Sequence, residues 1–255
     1  MKKLLHFELF KLRKQKSLYI CSAVVLGLLL LLVLAQYILI QSFGGGETSL
    51  SAVDIIITAV SASDFSLIVS IFIVLYVCGD YSQKTIKNIY SRGFSRTKVY
   101  FAKFIICMAY VVIMYIITEL FALILGSAFF GFKAQGDNIF WLLLGQLFVC
   151  LAYASFAFGI CNMVKRTGIA FTIVLLAPVA LTVLLSVLDA IIIVSLENFD
   201  ENAFKCVNLW FDGMLTILSD TTSKVRDIVL SSILPVVYGA LFIGGGYLVN
   251  RNTEV

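Results

Sequence analysis

Gly79, then four residues, then Lys84 and Thr85 trace the outline of a phosphate-binding loop, the chemistry that would let a chain hydrolyse a nucleotide. Such a loop needs a second glycine directly before the lysine so that backbone N–H groups can close on the phosphates, and Gln83 stands there instead. It also needs a strand ahead of it, whereas a long apolar run leads into Gly79. Gly44–Gly46 has no lysine beside it, and Gly244–Gly246 lies inside another apolar run. Metalloprotease chemistry fails because the chain has one histidine, His6, and no HExxH. That histidine sits among N-terminal lysines, away from the serines of the apolar runs, so a Ser–His pair fails too. Cys21, Cys78, Cys107, Cys150 and Cys161 lie in apolar runs as small hydrophobes, and Cys206 stands alone in a polar stretch. Neither a disulfide framework nor a metal quartet emerges. No enzyme chemistry, cofactor or metal is expected on this chain.

Three carboxylates interrupt the apolar runs: Asp64, Glu119 and Asp189. An ionised residue at mid-bilayer costs about 2.5–3.5 kcal/mol on insertion scales, so such groups face a polar interior or are neutral. Asp64 and Glu119 are candidates for a substrate path or a proton-relay pair; the alternative is a neutral acid hydrogen-bonded to a neighbouring helix. Asp189 reads as the end of its run. The two aspartates lack the sequence contexts of an intramembrane aspartyl protease.

The elements that hold these residues are membrane spans. Of the 255 residues 61% are apolar and 13% charged, and the mean hydropathy is +1.02, well outside the range of soluble domains. Six stretches reach the roughly 20 apolar residues a crossing helix needs: about 17–43, 54–78, 104–132, 139–163, 169–195 and 227–249. The fold class is therefore all-α: six transmembrane helices in a single domain over 1–255. The first run is too long for a signal peptide and lacks a small-residue cleavage site, so it reads as a retained helix. Of the 19 basic residues, 15 fall in the N-terminal tail (1–16), the segment 79–103, the turn at Lys165–Arg166 and the end beyond the sixth run. By the positive-inside rule these are cytoplasmic, with both termini inside. The segment 196–226 is acidic, with Glu197, Asp200, Glu201, Asp212 and Asp220, yet carries Phe204, Trp210, Phe211, Leu215 and Leu218. Those apolar residues predict a short helix lying at the outer membrane face or dipping into it.

On a helix over 82–92, Ile86, Ile89 and Tyr90 share one face, with Lys84, Lys87, Asn88, Ser91 and Arg92 opposite and Gly93 as the stop. Leu5, Leu9 and Leu12 repeat at helical spacing among Lys3, Lys11 and Lys14, which predicts a second interfacial helix; Phe7 and Phe10 fall off its stripe. Both helices could simply lie on an anionic leaflet. Alternatively, they form a surface on which a cytoplasmic protein docks.

The stretch FELFKLRKQKSLYI, Phe7 to Ile20, resembles the interfacial helix that opens ABC-2 type permeases, with Glu8, Lys11, Leu12 and Arg13 matching its acidic residue, Lys-Leu pair and basic run. GDYSQKTIKNIYSRGFSRTKVYFAK is similar to the same family's segment between its second and third spans. Tyr81, Thr85, Ile86, Lys87, Ser91, Arg92, Ser95, Arg96 and Lys103 match, while Asp80 replaces the usual glutamate and Lys84 the usual glycine. The resemblance implies a coupling helix, Asp80–Arg92, that meets a cytoplasmic ATP-binding subunit carrying ATP and Mg. It also implies a second permease chain, as homodimer or heterodimer, in a bacterial cell membrane. Export or membrane extraction is the implied direction, with resistance or immunity to antimicrobial peptides as one use. Glu197, Asp200 and Glu201 would then attract a cationic peptide. No nucleic acid partner is expected. Two other classes stay open: an ion-coupled secondary transporter using Glu119 and Asp64, though inverted repeats are not evident, and a membrane-anchoring assembly subunit.

Overall fold

The computed structural model describes residues 2–42, 51–62, 64–83, 85–91, 93–131, 138–195, 205–220, 223 and 225–252. It is all-helical, with no strand among the described residues, and six of its helices are long and apolar enough to cross a membrane.

Helix α1 (Lys2–Lys14) meets α2 (Lys16–Ser42) at a tight turn closed by Gln15 N–H on the Leu12 carbonyl (3.1 Å). The stripe that α1 buries is not the leucine repeat expected from spacing. Leu4 and Glu8 are fully covered, Leu5, Lys11 and Leu12 half-buried, and Leu9 is exposed together with Phe7 and Phe10. Residues 4, 8 and 11 also fall at helical spacing, and Glu8 can turn inward because a hydrogen-bond donor waits for it there.

The run 54–78, expected as one helix, is two. Helix α3 (Ala52–Ala62) ends before Asp64, which takes a left-handed conformation (φ +49°), and α4 (Phe65–Ser82) starts afresh. The hydroxyls of Thr58 and Ser61 bond back to the carbonyls of Asp54 (2.8 Å) and Thr58 (3.0 Å), a pattern that bends helices. Aspartate, with its short polar side chain, tolerates the left-handed region that closes the break. The start of α3 is fixed by reciprocal bonds between Ser51 and Asp54, a capping box. The break sends the two pieces to different neighbours. Helix α3 packs along α6 (Arg96–Phe129), where Gly126 lets the Ala52 backbone approach; α4 packs against α7 (Ile139–Val164) and α8 (Thr167–Ser195).

Helix α7 is buried nearly all round, from Leu142 to Asn162, and is the post on which the other helices lean. Helix α10 (Val225–Asn252) runs along it at close range. Between α8 and α10 a 3-10 helix (Cys206–Leu209) and α9 (Phe211–Leu218) turn into the bundle, with Phe211, Met214 and Leu218 fully covered. Phe211, Leu215 and Leu218 of the acidic segment are thus packed core and Trp210 is half-buried, while Phe204 lies outside the described residues. Asp189 helps to seat this insertion: its carboxylate accepts the N–H groups of Cys206 (2.7 Å) and Val207 (2.8 Å) at the start of the 3-10 helix. Asp212 accepts the Thr182 hydroxyl (2.6 Å), tying α9 to α8.

Candidate functional site

At the end of the bundle opposite this insertion, α1, the short helix α5 (Thr85–Ser91) and the beginning of α6 come together. Ile86 and Ile89 are buried, and Ile89 packs with Leu4, Val99 and Ala102, with Leu5, Tyr90 and Phe94 at the edge. Gly93, at φ +82°, turns the chain after α5 where a side chain would be strained. Ser95 is extended and accepts the Val99 N–H (3.2 Å) on its carbonyl as α6 begins. Arg96 sits over the Tyr90 ring at 6.0 Å. Burial pushes the Tyr90 phenol above its usual range, against the pull of that guanidinium. A cleft of about 350 Å³ opens between α1 and α5, lined by Lys3, Leu4, Phe7, Lys11, Thr85, Ile89 and Phe94.

Beneath this surface lies a group of buried charges. Asp80, in the last turn of α4, is 1% exposed and paired with Lys11 of α1 and with Lys103 of α6, itself 3% exposed. Thr85 at the start of α5 donates to the Asp80 carboxylate (3.1 Å) and lies 3.2 Å from its carbonyl oxygen. Tyr76, one turn before Asp80, donates to the Glu8 carboxylate (2.6 Å), and the Lys11 ammonium lies 5.2 Å from the Tyr76 ring centre. Two acids and two ammonium groups, formally neutral together, therefore join α1, α4 and α6, and the Thr85 hydroxyl adds α5. Removing one member of such a buried pair typically costs about 3–5 kcal/mol, because its partner is left charged and uncovered. Beside them the Tyr81 hydroxyl reaches Asn162 of α7 (3.1 Å) and Asn250 of α10 (3.5 Å), and Lys165 lies over the Tyr81 ring at 5.8 Å. Burial, with Arg96 nearby, holds the Lys165 ammonium below its ordinary value.

Up to Ser82 the segment that mimics a phosphate loop is helical. Gly79 to Ser82 form the end of α4, and the Gln83 N–H bonds to the Gly79 carbonyl (3.0 Å), so these amides are not gathered around a phosphate. A bundle of six helices long and apolar enough to span a membrane, with two shorter helices packed at its basic end, has a match among families: the model described as ABC-2 family transporter protein covers residues 4–189. The chain belongs to that family. No curated protein matches it, and neither does any solved structure.

This ABC-2 chain is the membrane permease subunit of a transporter, a domain without ATPase activity of its own; in this family ATP is bound by a partner subunit. Of the residues expected at a docking surface, Ile86 and Ile89 face the permease itself and Asp80 is internal. Tyr81, Thr85, Tyr90 and Arg96 are half-buried, and Ser91 and Ser95 are exposed. On α1, Glu8 is internal, Lys11 bridges inward, and Leu9 and Arg13 are exposed. Lys87 belongs to α5. Lys84 and Arg92 lie outside the described residues, as do Glu197, Asp200 and Glu201.

Asp64 and Glu119 do not form a pair joined by a hydrogen bond. Asp64 is exposed at the helix break, whereas both carboxylate oxygens of Glu119 are buried without a hydrogen-bond partner. Tyr115, one turn from Glu119, gives its proton to the Leu143 carbonyl instead (2.8 Å). Sequence reasoning missed the roles of Tyr76, Lys103 and Gln146. The signal for Lys103 was a lysine set inside the apolar run Phe101–Ile106; Tyr76 carried no signal, because aromatics are common in spans.

Proposed function

We propose that α1 and α5 form the seat of the cytoplasmic ATP-binding subunit and that this permease couples ATP hydrolysis there to export or membrane extraction of a substrate. The observation that carries the reading is the cleft between the two helices at the basic end. Its apolar lining of Leu4, Phe7, Ile89 and Phe94, with Lys3 at the edge, suits an inserted segment bearing apolar and acidic residues. The excess of lysine and arginine at this end supports a cytoplasmic location for it and for both termini. ATP and Mg belong to the partner. A second permease chain, alike or related, would complete the transporter, and a cationic antimicrobial peptide is the substrate class that Glu197, Asp200 and Glu201 suit best. The substrate path would pass Glu119, whose carboxylate oxygens are buried without a hydrogen-bond partner.

Because Ile86 and Ile89 hold α5 to the permease, the docking test must use the other face, where helical spacing puts Lys87. With Lys87→Glu and Lys3→Glu combined, the permease should still insert and purify, while the ATP-binding chain that accompanies the parental protein is lost from gentle affinity purifications. Recovery of that chain in parental amounts would remove α1 and α5 as its seat.

A further inference from the structure

Asp80 matches a position that the resemblance assigns to docking, yet its carboxylate is 1% exposed and is committed to three internal partners. Each partner comes from a different helix: Lys11 from α1, Lys103 from α6 and Thr85 from α5. Asp80 itself ends α4. A second link, from Tyr76 to Glu8, repeats the connection between α4 and α1 one turn away. By contrast, α8 rests on α4 and α7 and shares none of these charges.

We propose that Asp80 is a positioning residue: it binds α1, α5 and the adjoining ends of α4 and α6 into one body, so that a load applied at the ATP-binding subunit's seat moves them together relative to α8. Ionic pairs in a covered site suit this task. Their angular demands fix relative orientation more tightly than apolar contact does, and an unpaired member is too unfavourable for the helices to slide apart. The proposal rests on α1 and α5 being that seat, but the rigidity it claims belongs to the permease alone.

Spin labels at Leu9 in α1, Ile113 in α6 and Ile169 in α8, all exposed positions, report the two motions in the complex purified with its ATP-binding subunit, in a background with Cys206→Ser. On trapping with ATP and vanadate, the Leu9–Ile113 distance should stay fixed while the Ile113–Ile169 distance shifts. In Asp80→Asn the partner should still co-purify and hydrolyse ATP, but the Ile113–Ile169 shift is lost and the Leu9–Ile113 distribution broadens. Asp80→Glu should restore both. A parental Leu9–Ile113 distance that changes with nucleotide overturns the proposal, and so does an Asp80→Asn complex that moves as the parent does. If Asp80→Asn does not insert stably, Lys11→Met tests the α1 limb: Leu9–Ile113 broadens with the α6–α8 shift retained, and an unbroadened distribution overturns the proposal. Should no ATP-binding chain accompany the parental permease, the docking reading fails by itself. The Leu9–Ile113 distribution of the isolated Asp80→Asn permease then still decides whether Asp80 holds the helices together.

Discussion

Gln146 is fully covered near the start of α7, and its amide donates to the carbonyls of Ile57 in α3 (2.7 Å) and Leu218 at the end of α9 (3.0 Å). Inside a bilayer no water replaces such bonds, so one side chain holds the upper half of the broken span and the inserted helix to the central post. Gln146→Leu keeps the volume and removes both donors. Its expected cost is about 1–3 kcal/mol, the penalty for leaving a buried carbonyl unsatisfied. Thr216→Ala, at an exposed hydroxyl that only bonds back to the Asp212 carbonyl, should stay within about 0.5 kcal/mol of the parent. Thermal unfolding of both variants in one detergent makes the comparison. Equal midpoints would mean that the Gln146 amide does not help to seat α9.

Among the elements, α7 and α10 form the closest pair, and glycines set their distance. A Cβ on Gly159 would lie 2.7 Å from the Phe242 carbonyl oxygen, and one on Gly246 would lie 3.0 Å from the Gly159 Cα. Backbones meet there as small residues allow in membrane bundles. Gly159→Val should therefore force the helices apart and lower the melting midpoint by several degrees, while Gly244→Ala, with open space around it, should leave the midpoint unchanged or slightly raised. Equal midpoints for the two variants would rule out the seam. Glycines in the sixth span were visible in the sequence, but the partner of Gly246 was not, since nothing local to 244–246 points to residue 159. The same limit governs the other elements. Apolar length alone made the spans legible, because the bilayer sets that length. The break at Asp64 was hidden, because Ser61, Ala62 and Ser63 are small enough not to interrupt an apolar run. Periodicity found the inward face of α5, Ile86 and Ile89, yet misjudged that of α1. Its leucine stripe left Glu8 out, whereas a tyrosine 68 residues away donates to that carboxylate in the interior. Asp80 was legible as a motif position but not as a junction, since its lysines lie 69 and 23 residues away in the chain.

For the molecule as a whole, the basic end and the inserted α9 end face opposite sides of the bilayer, and one native cysteine can report which is which. Cys21, Cys78, Cys107, Cys150 and Cys161 are buried, whereas Cys206 is only partly covered at the α9 end. If lysine and arginine mark the cytoplasmic side, a membrane-impermeant maleimide should label intact cells at Cys206 and lose the signal in Cys206→Ser. The reaction has a further signature. The thiol's hydrogen bond to the Asp189 carboxylate, with slight burial and that negative charge, holds its pKa above the ordinary value. Thiolate is the reacting form, so labelling at neutral pH should be slower than for a free surface thiol and should climb as pH rises. Asp189→Asn removes the charge and should speed labelling at neutral pH. Fast labelling that ignores both pH and this substitution would separate Cys206 from Asp189 and, with it, the cap that seats the 3-10 helix. Labelling seen only after the cells are opened would invert the molecule, placing the α1–α5 cleft outside, where no ATP-binding subunit could reach it.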